Sequence, residues 1–212
     1  MRQTSADWKN AWMGCCGMIK NHDRSGWFGA SDTSIIMGNW STETFRKWWM
    51  VKLGAYDTPY TNRAMKTGTL LEIPIIRTIC DVDGRRIRIG RKPVYRPRYR
   101  VRANYDGYTS REVVEIKTTE HGFRTVPKNY WQQCQVLMWA KGLEKAVLYA
   151  YTPLEIDYAA PYFPEIDPER IKRFDIEYSD GFIQEYLPRV RYLSVCLKRR
   201  AFPRAEEMPD GA

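Results

Sequence analysis

Two periods of apolar and polar residues divide the 212-residue chain, one of three to four and one of two, and the switches between them mark its elements. Asp32 to Ile36 and Ser41 to Leu53 read as helices, the second opening on Ser41 as N-cap and closing on Gly54 one residue past its end. Thr61 or Asn62 can cap a further helix that carries Ala64, Gly68, Leu71 and Glu72, until Pro74 removes an N–H and kinks or ends it. Two β segments follow, around Ile87 to Ile89 and Val101 to Ala103. Asp106-Gly107 turns the chain into Glu112 to Thr118 (EVVEIKT), a short, β-branched and largely buried strand. From Tyr130 to Ala140 the longer period returns, so Tyr130, Cys134, Leu137 and Met138 can face a core, with Gln133 one turn from both Tyr130 and Leu137. This predicts a helix running to Gly142. Ala146 to Thr152 is a second buried strand, and the order strand, helix, strand is that of an α/β crossover. After Tyr158 the chain is Pro-rich and then helical, from about Pro168 or, after a break, from Ser179 to Lys198. With no internal repeat, low-complexity tract or linker, the expectation is one domain over residues 1–205 and a mobile acidic tail over 206–212.

Composition narrows the class. With 43% hydrophobic and 14% aromatic residues and charges of both signs, the chain does not read as disordered, and its length suits one domain with a core of its own. Asp7, Lys9 and Lys20 interrupt the stretch where a signal peptide needs an apolar run. Uncharged runs such as Asn129 to Ala140 fall well short of the ~20 residues of a spanning helix. The expectation is a soluble, cytoplasmic protein with no membrane partner. The five Cys (15, 16, 80, 134 and 196) are odd in number and scattered, and form no C-x-x-C. They read as reduced thiols and suggest neither a disulfide framework nor a zinc or iron–sulfur site. His22 and His121 are too far apart in sequence to form a local metal cluster, and both read as surface or loop residues. Catalysis then falls to carboxylates, Lys or hydroxyls.

Charge adds a partner. Lys and Arg number 34 against 25 Asp and Glu, a balance of 34 − 25 = +9. Arg85 to Tyr105 (RRIRIGRKPVYRPRYRVRANY) holds nine of the cations and no acid, so the remainder is balanced. Its β-prone stretches are broken by Arg96-Pro97-Arg98, which reads as the turn of a basic hairpin. One use of such a segment is a sheet edge guarded by charge against pairing. The other is a phosphate backbone, for which Arg96, Arg98, Arg100 and Arg102 are the candidate contacts.

The informative chemistry is Asp106 on a turn and, nine residues on, Glu115-Ile116-Lys117 on a strand. Alternate strand residues share a face, so Glu115 and Lys117 project together while Ile116 enters the core and leaves its carbonyl available. Asp106 and Glu115 can share a hard cation such as Mg2+ with that carbonyl, which leaves positions for water and a phosphate oxygen. Lys117 can orient the water or steady developing negative charge. The alternative is an ordinary salt bridge of Lys117 with Glu115 or Asp106. Glu72, among Leu70, Leu71, Ile73 and Ile75, is a carboxylate in apolar company, which suggests a buried partner or a metal-bound water; the alternative is a helix salt bridge. Arg24 adjoins a Gly-rich aromatic loop where a guanidinium could hold a phosphate with help from Ser31. Trp27, Trp48, Trp49 and Trp139 read as core residues before base-stacking platforms.

These residues, in this order, resemble the YqaJ and lambda exonuclease branch of the PD-(D/E)xK nucleases of phage recombination. Arg24 with Gly29-Ala30-Ser31-Asp32 resembles the opening segment, whose Arg and Ser bind the terminal phosphate. Gly68-Thr69-Leu70-Leu71-Glu72 resembles the G-x-x-x-E helix, whose Glu faces the metal site. Asn104-Tyr105-Asp106-Gly107 resembles the S-P-D-G turn, with Tyr105 in place of Pro, and Glu115-Ile116-Lys117 resembles the E-x-K strand. Tyr130-Trp131-Gln132-Gln133-Cys134-Gln135 resembles the Y-x-x-Q-x-Q helix, which puts Gln133 and Tyr130 in the catalytic group.

The resemblance implies an α/β restriction-endonuclease-like core, a central mixed sheet flanked by helices. It implies a Mg2+-dependent exonuclease that digests one strand of duplex DNA from its 5′ end, with two ions for which Mn2+ can substitute. The metal ligands would be Asp106, Glu115 and the Ile116 main-chain carbonyl, with Glu72 acting through water. It further implies a ring-shaped homotrimer, a single-strand annealing protein as partner, and a phage or bacterial origin. A structure-specific endonuclease of the same superfamily is the nearer alternative. A non-catalytic DNA-binding protein is the further one, though clustered carboxylates would serve it poorly.

Overall fold

The computed structural model of the chain describes residues 25–56, 63–159 and 164–209. A 3-10 turn at Ala30–Asp32 leads into α1 (Thr33–Ile36), α2 (Glu43–Lys52) and α3 (Arg63–Asp83). Short strands β1 (Arg88–Ile89), β2 (Val94–Arg96), β3 (Val101–Ala103) and β4 (Gly107–Tyr108) precede β5 (Glu112–Thr118). Then come α4 (Lys128–Lys141), β6 (Lys145–Tyr151), α5 (Glu155–Ala159), β7 (Ile171–Glu177) and α6 (Asp180–Lys198).

Among the described residues the main sheet has five strands in the order β1-β4-β5-β6-β7, and β2 and β3 form a separate hairpin. Only β5 and β6 run parallel, with Glu115 opposite Leu148, and α4 makes the crossover between them. The pleat then sorts the side chains. Val113, Ala146, Leu148 and Ala150 join Cys134, Leu137 and Met138 of α4 and Tyr186, Val190 and Leu193 of α6 in one core. Val114, Ile116, Val147, Tyr149 and Tyr151 meet Leu71, Ile75, Ile76 and Ile79 of α3 in the other. With both faces covered, β6 is a nearly unbroken apolar run. The fold is α/β, a mixed central sheet flanked by helices.

Several expectations need correction. The N-cap of α2 is Thr42, whose Oγ1 accepts the Phe45 N–H at 3.2 Å; Ser41 lies one residue outside. The expected close is present, since Gly54 has φ +71° and donates to Val51 O while Ala55 donates to Met50 O. Helix α3 does not end at Pro74 but continues to Asp83. A proline inside a helix costs about 3 kcal/mol. Burying Leu71, Ile75, Ile76 and Ile79 returns roughly 1.5–3 kcal/mol for each, which outweighs it. The proposed caps Thr61 and Asn62 lie outside the described residues.

Of the two starts open to the last helix, about Pro168 and Ser179, the second is the one taken: Ser179 caps α6, its hydroxyl accepting the Phe182 N–H, and Ile171 to Glu177 is a strand. Asp167 does accept the Glu169 N–H at 3.0 Å, as a cap would, but only a 3-10 turn at Pro168–Arg170 results. The open edge of β6 satisfies the next seven residues in an antiparallel ladder from Ile171 against Tyr151 to Glu177 against Lys145. At the C-terminal end, Ala205–Glu207 forms a 3-10 turn, and Tyr192 of α6 donates to Glu207 Oε2 at 2.6 Å.

The basic segment is a hairpin. Its turn, Pro97–Tyr99, closes through Arg100 at φ +51°. Phe28 straps β3 from outside: its N–H donates to Arg100 O and its carbonyl accepts from Arg102 N–H, both at 2.8 Å. The hairpin is thereby fixed to the 25–32 segment, and β3 runs directly into Asp106.

Candidate active site

Strand β5 supplies the centre. Glu115 is 3% exposed, although it is a carboxylate in an apolar strand. Its Oε1 accepts from Lys117 Nζ at 2.7 Å and from Gln133 Nε2 of α4 at 2.6 Å. Its Oε2 is buried with no hydrogen-bond partner. The structure therefore joins the E-x-K strand to the glutamine helix, as their resemblance implies. Tyr130 stands three residues before Gln133, and its ring centroid lies 5.1 Å from Lys117 Nζ, close enough for a cation–π contact.

Asp106 reaches the group from the end of β4. The β4–β5 ladder pairs Gly107 with Val114 and Tyr108 with Val113, and then β4 has no further residue to offer. The Asp106 carboxylate fills the gap, its Oδ2 accepting the Ile116 N–H at 2.7 Å. A strand residue points its N–H and C=O to the same side, so the Ile116 carbonyl also faces the gap beyond β4, on the Asp106 side.

Electrostatically the group is crowded with negative charge. Burial, then the charge of Glu115, pushes Glu72 on α3 up to about 8, with Lys117 pulling the other way. Burial and the charges of Glu115 and Glu72 hold Asp106 well above the ordinary carboxylate range, against the Ile116 N–H and Lys117. Burial pulls Lys117 down, but Glu115 and Asp106 outweigh it and keep the ammonium charged. Burial raises the Cys134 thiol, and Glu115 adds to it, so that cysteine is inert. Three carboxyls against one ammonium leave a deficit of positive charge that a hard cation would relieve. Among the described residues no three His, Cys, Asp or Glu converge as a ready metal cage. The donors that fit are Asp106, the unpartnered Oε2 of Glu115 and the Ile116 carbonyl, with Glu72 near enough for the charges of Glu115 and Lys117 to act on it.

The phosphate-binding candidates belong to other segments of the sequence. Ser31 is exposed in the 3-10 turn beside the hairpin, and Arg24 lies outside the described residues, as do His22, Cys15 and Cys16. Of the hairpin cations, Arg98 is exposed and Arg102 half-buried. Arg96 stacks 5.6 Å from the Trp139 ring centroid and donates to Trp139 O at 3.2 Å, and Arg100 donates to Gly26 O at 3.1 Å. Each of those two spends a guanidinium donor on the protein itself.

Sequence reasoning missed a buried pair behind Ser31. Lys52 Nζ lies 2.5 Å from Asp32 Oδ2, both nearly inaccessible, and Asp32 also accepts from Gly29 N–H at 2.7 Å and Trp48 Nε1 at 3.0 Å. The signal was present: Lys52 falls on the same helical stripe as the buried Phe45 and Trp49. Gln135, part of the Y-x-x-Q-x-Q resemblance, is structural. It donates to Glu177 O and accepts from Ser179 N–H, both at 2.8 Å, and so ties α4 to the turn between β7 and α6.

No protein-family profile matches the chain, and no curated protein does. Among solved structures it is similar to an alkaline exonuclease (LHK-Exo) from Laribacter hongkongensis, 19% identical, TM-score 0.66, over 82% of this chain and 89% of that one. The same exonuclease in complex with dAMP gives 18% and 0.67 over the same shares. A phage-related exonuclease from Haemophilus somnus 129PT gives 16% and 0.58, over 82% of this chain and 96% of that one. At these identities the likeness is one of architecture, and the fold of these exonuclease structures is the fold of this chain.

Proposed function

We propose that the protein is a metal-dependent deoxyribonuclease, an exonuclease hydrolysing one strand of duplex DNA from its 5′ end. The observation that carries the reading is the buried Glu115, its Oε2 unpartnered, with the half-buried Asp106 and Glu72 close enough for their charges to act on one another and on a single ammonium. A DNA-binding protein without catalysis gains nothing from carboxylates that repel phosphate. The fold shared with exonuclease structures supports the same reading.

Each residue then has a task. Asp106, Glu115 and the Ile116 carbonyl would hold a divalent cation, Mg2+ or Mn2+, with Glu72 acting through water. Such a cation supplies Lewis-acid polarisation of the scissile phosphate and acidifies a bound water. Lys117, kept charged by its carboxylate neighbours, orients the attacking water and stabilises charge that develops on the phosphate oxygens. Gln133 fixes the Glu115 rotamer, and the Tyr130 ring limits where Lys117 can swing. Exposed hairpin cations, Arg98 first, position the duplex without reading bases. Arg24 and Ser31 hold the terminal phosphate and so set the scissile bond. A homotrimeric ring and an annealing protein partner complete the reading.

The test is digestion of a duplex labelled at either the 5′ or the 3′ end, with Mg2+ and with EDTA. Mononucleotides released from the 5′ end only with Mg2+ are expected. Internal cuts would favour a structure-specific endonuclease. Tight binding with no cleavage in Mg2+ would reduce the protein to a DNA-binding module and end the proposal.

A further inference from the structure

Asp106 is the one donor of the group that comes from a bend and not from a regular element, so something else must hold its backbone. Two contacts do so. Gly90, just past β1, donates its N–H to Asp106 O at 2.9 Å and extends the β1–β4 ladder by one bond. The approach is close: a Cβ on Gly90 would overlap the Tyr105 carbonyl oxygen and lie 2.8 Å from the Tyr105 ring. That oxygen is main chain, so no rotamer change relieves the overlap. On the other side the Tyr105 ring, 8% exposed, is pinned by Lys141 at the end of α4. Lys141 Nζ donates to Tyr105 Oη at 3.1 Å, sits 4.9 Å from that ring's centroid and 3.9 Å from that of Tyr108, and the two rings meet edge to face at 5.5 Å.

We propose that Gly90 and Lys141 are positioning residues for Asp106, clamping Tyr105 from two sides so that the neighbouring carboxylate stays on the Ile116 N–H. Tyr105 stands where the S-P-D-G turn has proline. A proline stiffens a turn through its own ring, whereas a tyrosine leaves φ free and must be held from outside. The clamp supplies that restraint. It also ties both ends of α4 to the site, Gln133 near its start holding Glu115 and Lys141 at its end holding the Asp106 bend. Its value for metal binding rests on the function proposed above, but its geometric effect does not.

The experiment reads the Ile116 amide by NMR in metal-free, full-length protein, with calorimetric titration of Mg2+ alongside. In Gly90→Ala the Ile116 amide is expected to leave its hydrogen-bonded position and exchange with solvent faster. The Gln133 side-chain amide, which reports the Glu115 half of the site, should keep its wild-type shift. Mg2+ affinity should fall about 10-fold or more, the usual loss when a residue that orients a ligand is changed. Lys141→Met, which keeps the stem and removes the ammonium, should move the same amide in the same direction and decides the matter if Gly90→Ala does not fold. An Ile116 amide that stays at its wild-type position in a folded Gly90→Ala, or in Lys141→Met where that is the deciding variant, overturns the clamp. Wild-type protein that neither binds Mg2+ nor cleaves DNA, with the amide displaced in the variants, overturns the proposed function and leaves the clamp standing.

Discussion

Glu115 is the residue on which the local chemistry turns, because its Oε1 is saturated by Lys117 and Gln133 while its Oε2 has no partner. Glu115→Ala and Asp106→Ala are each expected to abolish cleavage with DNA binding and fold retained, and Mg2+-dependent activity at wild-type level in either would refute the site. Lys117→Ala should lose roughly 10²- to 10⁴-fold in rate with metal affinity kept, as befits a group acting on the water or transition state. Glu72 gives the pH dependence. Its carboxyl is pushed up from an ordinary 4.5 to about 8, so between those values the folded protein holds a proton that the unfolded chain has released. Stability of the metal-free protein should therefore fall as pH rises from about 4.5 to about 8 and then level off, and Asp106 acts in the same direction. A cation competes with those protons, so Mg2+ affinity should rise over the same interval. Melting temperature against pH in EDTA reads the first trend, and Glu72→Gln should flatten it.

The hairpin divides its cations between contacts within the fold and exposure to solvent. Arg98, exposed at the turn, is free to meet phosphate, whereas Arg96 is spent on Trp139. Arg98→Ser should weaken duplex binding for all sequences and lower the slope of log affinity against log salt by about 1, with no change in melting temperature. Arg96→Ser should instead cost about 1–2 kcal/mol of stability through the lost stacking and hydrogen bond. Equal effects of the two variants on salt slope and on denaturant midpoint would show that the hairpin is not divided in this way. Helix α3 carries the related lesson that packing overrides a local breaker, since its apolar stripe runs past Pro74 and keeps Glu72 and Ile79 on one helix.

At the scale of the molecule, the 25–32 segment, α2 and the hairpin are locked together behind the sheet, and Asp32 is the knot. Its carboxylate serves Lys52, Trp48 and the Gly29 N–H at once. Asp32→Asn keeps the shape but takes a negative charge away from the buried Lys52 ammonium, and a loss of stability is expected in chemical denaturation. Because Phe28 straps β3, the loss should extend to the hairpin and weaken DNA binding along with stability. An Asp32→Asn protein as stable as wild type would show that the pair is not a structural centre.

The sequence alone determined whatever depends on near neighbours in the chain. Strand EVVEIKT, the α4 period with its Gly142 stop, the β5–α4–β6 crossover and the basic hairpin all follow from local spacing and turn chemistry. So does the common face of Glu115 and Lys117. Only the tertiary structure decided that Ile171 to Glu177 extends along β6, because a strand at a sheet edge is stabilised by a neighbour 20 or more residues away and not by its own pattern. It also decided that α3 survives Pro74, that Arg96 and Arg100 turn inward, and that Gly90 lies against Tyr105. Those outcomes rest on contacts between residues distant in sequence, where close packing leaves room for a hydrogen atom and none for a methyl group, and a spacing pattern carries no record of such distances.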